Sequence, residues 1–286
     1  MKYIKYFFQF IIIFFLFTIY KILGIRYSSL FSGKILTIIG PLFRSKTISK
    51  KNLSLAFPDL DNLQKTNILK KMWFNYGMIL AEYIYIKQFR NSSLSKNITI
   101  ENQEELENIK KSAKPVIFVS GHFNNFELMA MHIEKSGIDL AAIYRPLNNI
   151  FLNPFMEKIR KEYICKTQIK KGISGTKKIL KCFRDGNSIA LMIDQRVSEG
   201  IKVNFFNTQA LTTTIPAQFA KKYKAKIVPI YIERTEGNKF KIKIYKSLEF
   251  SKDDTIEFIT SRLNSILEKM ILKNPDQWIW THNRWK

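Results

Sequence analysis

His122 and Glu127 stand five residues apart in Ser120-Gly-His-Phe-Asn-Asn-Phe-Glu127, directly after the apolar run 115–119. A neutral imidazole takes a proton from an alcohol near pH 7, and a carboxylate beside it holds the ring in the right tautomer. Within one helix the two side chains diverge, since five residues turn about 500° and leave them about 140° apart. The local sequence fits a different arrangement. A buried strand ends near Ser120, Gly121 permits a sharp turn, and Asn124 or Asn125 caps a helix with Glu127 in its first turn. His122 then lies on the turn and Glu127 folds back to it. The amides of that helix start, around 124–126, are candidate donors for an oxyanion or phosphate.

The elements that must hold this pair follow from the pattern of the chain. From residue 97 onward, strands and helices alternate. Strands are expected over 97–100, 115–120, 141–145, 188–194, 202–206, 226–233 and 239–246, and helices over 125–136, 149–163, 174–184, 213–223 and 254–273. Such alternation specifies an α/β fold with a mixed, largely parallel sheet flanked by helices. A long helix over 67–89 is apolar on nearly all its faces, which fits core packing or a surface gripping acyl chains.

The N-terminus sets the compartment. The apolar run 6–20 gives about 22 Å of helix, short of a bilayer core of roughly 30 Å. Extending it to Leu23, with Lys21 snorkelling, approaches a full span. No small-x-small cleavage site follows, so a removed signal peptide is excluded. The expected organisation is a membrane-anchor helix over 1–24 and one domain over 25–286, divided into a helical part (25–96) and an α/β core (97–286). The stretch 28–51 reads as a basic connector lying along the membrane. Lys2 and Lys5 precede the anchor, while Lys21, Arg26, Lys34, Arg44, Lys46, Lys50 and Lys51 follow it. That excess places the large domain in the cytoplasm, and a helix lying in the interface gives the same result.

The 286 residues carry a net charge of +24. Such a charge attracts anionic headgroups and acidic macromolecules. No nucleic-acid recognition motif accompanies it, so no specific nucleic-acid partner is expected. Two cysteines, Cys165 and Cys182, suit a reducing compartment. With three histidines and no ligand spacing, neither a metal site nor a cofactor is expected.

Seven blocks, in order from residue 50 to the C-terminus, resemble one family. Asn52-Leu-Ser-Leu-Ala-Phe-Pro58 is similar to an "NL…aFP" stretch, and Trp73-Phe-Asn-Tyr-Gly77 with Glu82 to an "N-x-G…E" helix. Gly121–Glu127 resembles "GHFGNWE", Tyr144-Arg-Pro-Leu-Asn-Asn149 resembles "YRPxxN", and Asp194-Gln195 resembles a "DQ" after a strand. Phe205-Phe206 with 212–214 is similar to "FFG…T", and 275–286 to a tryptophan-rich terminus. Together they resemble the bacterial lipid A late acyltransferases, within the glycerolipid acyltransferase superfamily and its H-x4-[DE] signature. Asn124 stands where Gly is common, Phe126 where Trp is common, and Asn207 where Gly often follows the Phe pair.

The resemblance implies transfer of an acyl chain from an acyl carrier protein thioester to a hydroxyl of a membrane glycolipid at the cell inner membrane. His122 is then the general base and Glu127 its partner. No Ser or Cys nucleophile is required, so direct transfer in a ternary complex is expected. Arg145 is expected either in a surface ion pair or on a lipid phosphate, and Arg160 on a solvated helix face or a phosphate. Asp194 and Gln195 fit a strand-end site or a cap, and Asn125 a helix cap with a site role. His132 and His282 are expected to be structural, and the tail tryptophans core with some lipid contact. Acylation of another lipid (a lysophospholipid, an amino-acid lipid or a glycosylated phosphoinositide) uses the same motif, and a non-catalytic lipid-binding relative is the remaining reading.

Overall fold

The computed structural model describes all 286 residues, apart from the side chain of Ile173. Helix α1 (Lys2–Phe43) is followed by α2 (Lys46–Ala56), α3 (Asn62–Glu82) and α4 (Ile86–Asn91). Then come β1 (Ile98–Glu101), α5 (Gln103–Ser112), β2 (Ile117–Ser120), α6 (Glu127–Lys135), β3 (Leu140–Tyr144), α7 (Leu152–Ile159), β4 (Thr167–Lys170), α8 (Ile173–Arg184) and β5 (Ser188–Met192). The chain closes with β6 (Ile201–Phe205), β7 (Thr208–Thr212), α9 (Ile215–Tyr223), β8 (Ile227–Glu236), β9 (Lys239–Ile244) and α10 (Ile256–Lys273).

Seven strands form one sheet in the order β1-β9-β8-β2-β5-β3-β4, and β6 pairs with β7 as a separate hairpin. Only β8 and β9 run antiparallel within the large sheet. The mixed, largely parallel α/β fold expected from the alternation is therefore the observed one. Central β2 has all four residues buried, and β8 is buried over most of its length, as sheets covered on both faces require.

Besides α2, three elements went unread in the sequence. β4 and β7 are short and polar, and α5 (QEELENIKKS) buries only Leu106 and Ile109. The stretch 28–51 is not a loose connector. Helix α1 kinks at Gly24, where φ is 71°, then continues along α3. Small residues permit that approach: a Cβ on Gly77 would sit 2.2 Å from the Ser32 carbonyl oxygen, and one on Gly33 2.8 Å from the Phe74 ring. The glycine of the Trp73–Gly77 block is thus a helix-contact residue.

The tryptophan tail returns to the core. Trp278 and Trp280 are buried and meet edge to face at 4.7 Å. Arg284, fully buried, donates to the Leu211 carbonyl and to Thr212 Oγ1, both at 2.7 Å, which ties the tail to β7. Lipid contact by Trp278 and Trp280 is excluded by this burial, and Trp285 is half-buried against Phe205.

Candidate active site

β2 and β5 are parallel neighbours, and their register pairs Ser120 with Met192. His122 and Asp194 each lie two residues beyond that pair, at the carboxyl edge where open α/β sheets hold ligands. The register therefore delivers both side chains to one point. Asp194 Oδ1 lies 2.8 Å from His122 Nδ1, and Oδ2 accepts the His122 backbone N–H at 2.7 Å and Trp278 Nε1–H at 2.8 Å. Gly121 makes room, since a Cβ there would lie 3.2 Å from Asp194 Oδ2.

An ionised carboxylate only accepts, so Nδ1 carries the proton and the Nε2 lone pair is left free. Nε2 has no hydrogen-bond partner among the described residues, and the ring is partly exposed. Burial disfavours the imidazolium, but the Asp194 charge and its hydrogen bond outweigh burial. Glu127 adds to this effect and Lys171 opposes it; the net displacement is above the ordinary histidine value. For Asp194, burial likewise opposes ionisation and His122 overcomes it, holding the carboxyl below its usual range.

The expected contact between Glu127 and the His122 ring is corrected. Glu127 accepts instead from Arg160, at 2.8 Å from Nε and 2.5 Å from Nη2. Arg160 starts a π turn after α7 and lies 5.6 Å from the Tyr144 ring centroid. It is thus a largely buried partner of Glu127, not a residue on the solvated helix face expected for it by default. Glu127 reaches His122 through its field alone. α6 begins at Glu127 itself, and the side chain pairs with Arg160, the first residue past the end of α7.

The loop between His122 and Glu127 is held from below. Asn124 adopts φ 40° and Asn207 φ 54°, both left-handed. Asparagine tolerates that region better than other residues with a Cβ, which accounts for Asn at two positions where the resembling blocks favour Gly. The amides expected to face an oxyanion are already engaged. Asn124 N–H donates to the Gln277 carbonyl, Asn125 N–H to Asn124 Oδ1, and Phe126 N–H to the Asn124 carbonyl. Asn125 does not cap α6; its buried side chain donates to Glu82 Oε2 at 3.1 Å.

Glu82 and Arg234 form a buried ion pair beneath this loop. Arg234 also donates to Asn124 Oδ1 at 2.9 Å and Asn75 Oδ1 at 3.2 Å. Asn75 and Glu82 lie seven residues apart on α3, about two turns, and so share a face. The "N-x-G…E" block therefore supports the loop. Glu82→Ala strands a buried guanidinium and is expected to destabilise the protein by about 3–5 kcal/mol. A thermal unfolding midpoint no lower than the parent's contradicts this.

Arg145 is exposed just beyond β3 and forms no ion pair among the described residues. Gln195 is half-buried beside Asp194. His132 is pushed down to about 4 by burial and the nearby Lys135 charge. Burial also lowers His282, with the Asp194 charge opposing this and the His122 charge adding to it. Residues the sequence did not single out as site supports are Trp278, Asn52 and Arg234. Asn52 donates to the carbonyls of Trp280 and His282 at 2.9 and 2.6 Å, which locks the tail against the site. The early "NL" block and the tryptophan tail, both noticed, are the two halves of that contact. Neither Cys165 nor Ser120 is set up as a nucleophile: Cys165 is buried and pushed up to about 12, and Ser120 Oγ donates to the Ile230 carbonyl at 2.6 Å.

A carboxylate-held imidazole with a free Nε2, set at the carboxyl edge of an α/β sheet, is an arrangement chemically able to act as a general base. The family model described as bacterial lipid A biosynthesis acyltransferase matches residues 1–286. A lipid A biosynthesis acyltransferase of Haemophilus influenzae is 24% identical over 85% of this chain and 78% of its own. The lipid A biosynthesis lauroyltransferase of Escherichia coli K12 is 24% identical over 85% of this chain and 79% of its own. The 1-acyl-sn-glycerophosphate acyltransferase of Thermotoga maritima superposes with a TM-score of 0.41 at 13% identity, covering 90% of this chain and all of that one. The chain belongs to the bacterial lipid A biosynthesis acyltransferase family, and the protein is an acyltransferase.

Proposed function

We propose that the protein moves a fatty acyl chain from an acyl carrier protein thioester to a hydroxyl of a lipid A precursor, at the cytoplasmic face of the inner membrane. The observation that carries the mechanism is His122, held at Nδ1 by Asp194 with Nε2 free. Nε2 takes the proton of the acceptor hydroxyl as its oxygen attacks the thioester carbonyl. A tetrahedral oxyanion forms; it collapses with cleavage of the C–S bond, and the imidazolium returns its proton to the departing thiolate. Asp194 stabilises the transient imidazolium at Nδ1, as the carboxylate does in hydrolase triads, and the charge of Glu127 assists from further away. The lauroyl- and acyltransferase names of the relatives support lipid A as acceptor. Lipids from a deletion strain, read by mass spectrometry, test this: loss of one acyl chain from lipid A is expected, and an unchanged lipid A profile overturns it.

Charge supports the choice of partners. The chain carries +24, and exposed Lys171, just past the end of β4, acts on His122 through its charge. Carrier proteins are acidic, so transfer is expected to fall steeply from low to physiological salt, as steering is screened over about 8–10 Å. Arg145→Ala is expected to raise KM for the phosphorylated acceptor far more than for the thioester. Arg145→Lys restores only part, because an ammonium lacks the planar two-donor fork. KM values for both substrates across a salt series check this, and equal changes for the two substrates contradict it.

A further inference from the structure

The first part of α1, before the kink at Gly24, touches the rest of the protein at points along most of its length, with Phe17 and Tyr20 buried. Near its start, Asn149 Nδ2 donates to the Tyr6 carbonyl at 2.8 Å. Next, the rings of Phe7 and Phe10 meet Phe151 at 5.7 and 6.2 Å, and those of Phe14 and Phe17 meet Phe155 at 6.3 and 6.1 Å. Near its end, Tyr85 Oη donates to the Tyr20 carbonyl at 2.5 Å. Contacts from Tyr6 to Tyr20 span about 21 Å of helix axis. A helix standing upright through a bilayer, with its domain outside, cannot keep them: the loop holding Tyr6 would lie near the opposite headgroups.

The other face is bare and apolar, with Ile4, Phe8, Ile11, Ile12, Phe15 and Ile22 exposed. Leu147 and Ile150, on the loop that leads from β3 and Arg145 to α7, are exposed beside it. The charges agree. Lys2 and Lys5 mark one end, Lys21 and Arg26 the other, so both ends carry the signature of the cytoplasmic side. Length and composition alone allow the helix to cross, but its contacts with the domain run from Tyr6 to Tyr20 rather than gathering at one end.

We propose that this helix lies in the plane of one membrane leaflet without crossing it. Its two ends then share a side with the acyltransferase domain, and the 147–151 loop dips into the same lipid. The occupant of the apolar face is the acyl region of a leaflet with anionic headgroups, which the flanking lysines meet. Arg145 is thereby held at the headgroup level, where a phosphorylated lipid acceptor presents its polar part; this last step rests on the proposed function.

The test uses full-length protein in inner-membrane vesicles of both orientations, with a membrane-impermeant maleimide. In a Cys182→Ser background, with Cys165 buried, single cysteines are placed by Lys2→Cys on the helix end and Glu199→Cys on the exposed domain surface. Both are expected to react in inverted vesicles and neither in right-side-out ones. Reaction of the two on opposite sides overturns the proposal. Reaction of both only in right-side-out vesicles upholds the uncrossed helix and overturns the cytoplasmic placement instead.

Discussion

His122→Ala is expected to lose acyl transfer by at least about 10²–10⁴-fold, equivalent to about 2.7–5.5 kcal/mol of transition-state stabilisation. The variant should still fold. The His122 ring is partly exposed, so its removal opens no deep cavity. Asp194 retains two donors, the residue 122 backbone N–H and Trp278 Nε1–H, so no naked carboxylate is left in the core. Turnover and the thermal midpoint measured together separate loss of the base from loss of the fold. A folded variant with near-normal turnover refutes the general-base role.

Asp194→Asn is expected to cost nearly as much, roughly 10²–10⁴-fold, although it alters one atom. An amide can offer N–H to Nδ1, which favours the tautomer whose proton sits on Nε2, where the base is needed. The pH profile carries a second signature. In the parent, His122 titrates above its ordinary value, and kcat/KM falls as pH drops through that raised value because the ring becomes protonated. Asparagine removes the largest force holding the proton on, so the acidic limb of the residual activity shifts to lower pH. Glu127→Gln leaves Nδ1 with Asp194 and is expected to lose less rate and to move the limb less. A greater loss in Glu127→Gln than in Asp194→Asn contradicts this division of roles and restores Glu127 as the direct partner.

The parts of this site differ in how far the chain announces them. His122 is legible because its signals are local: an apolar strand, a glycine and a turn lie within a few residues. The α/β alternation is legible for the same reason, since each buried strand carries its own apolar run. Asp194 was visible as a strand-end carboxylate, yet its bond to His122 depends on the β2–β5 register, a relation between segments 72 residues apart. Glu127 attracted the role because it is near in sequence, and Arg160, on a distant π turn, draws it away. The second part of α1, from Gly24 to Phe43, escaped notice because Ser29, Ser32, Gly33 and Gly40 look like a connector. Their small size is what lets α1 lie against α3. β4 and β7 give too few apolar residues to show a period.

The central claim is base-assisted acyl transfer to a lipid A precursor. The most direct measurement incubates purified protein with an acyl carrier protein thioester and a phosphorylated lipid A precursor, and weighs the lipid by mass spectrometry. The account predicts a gain of one ester-linked acyl chain with the parent protein and none, on the same time scale, with His122→Ala. Thioester consumed without acylation of the precursor, or equal acylation by His122→Ala, contradicts it.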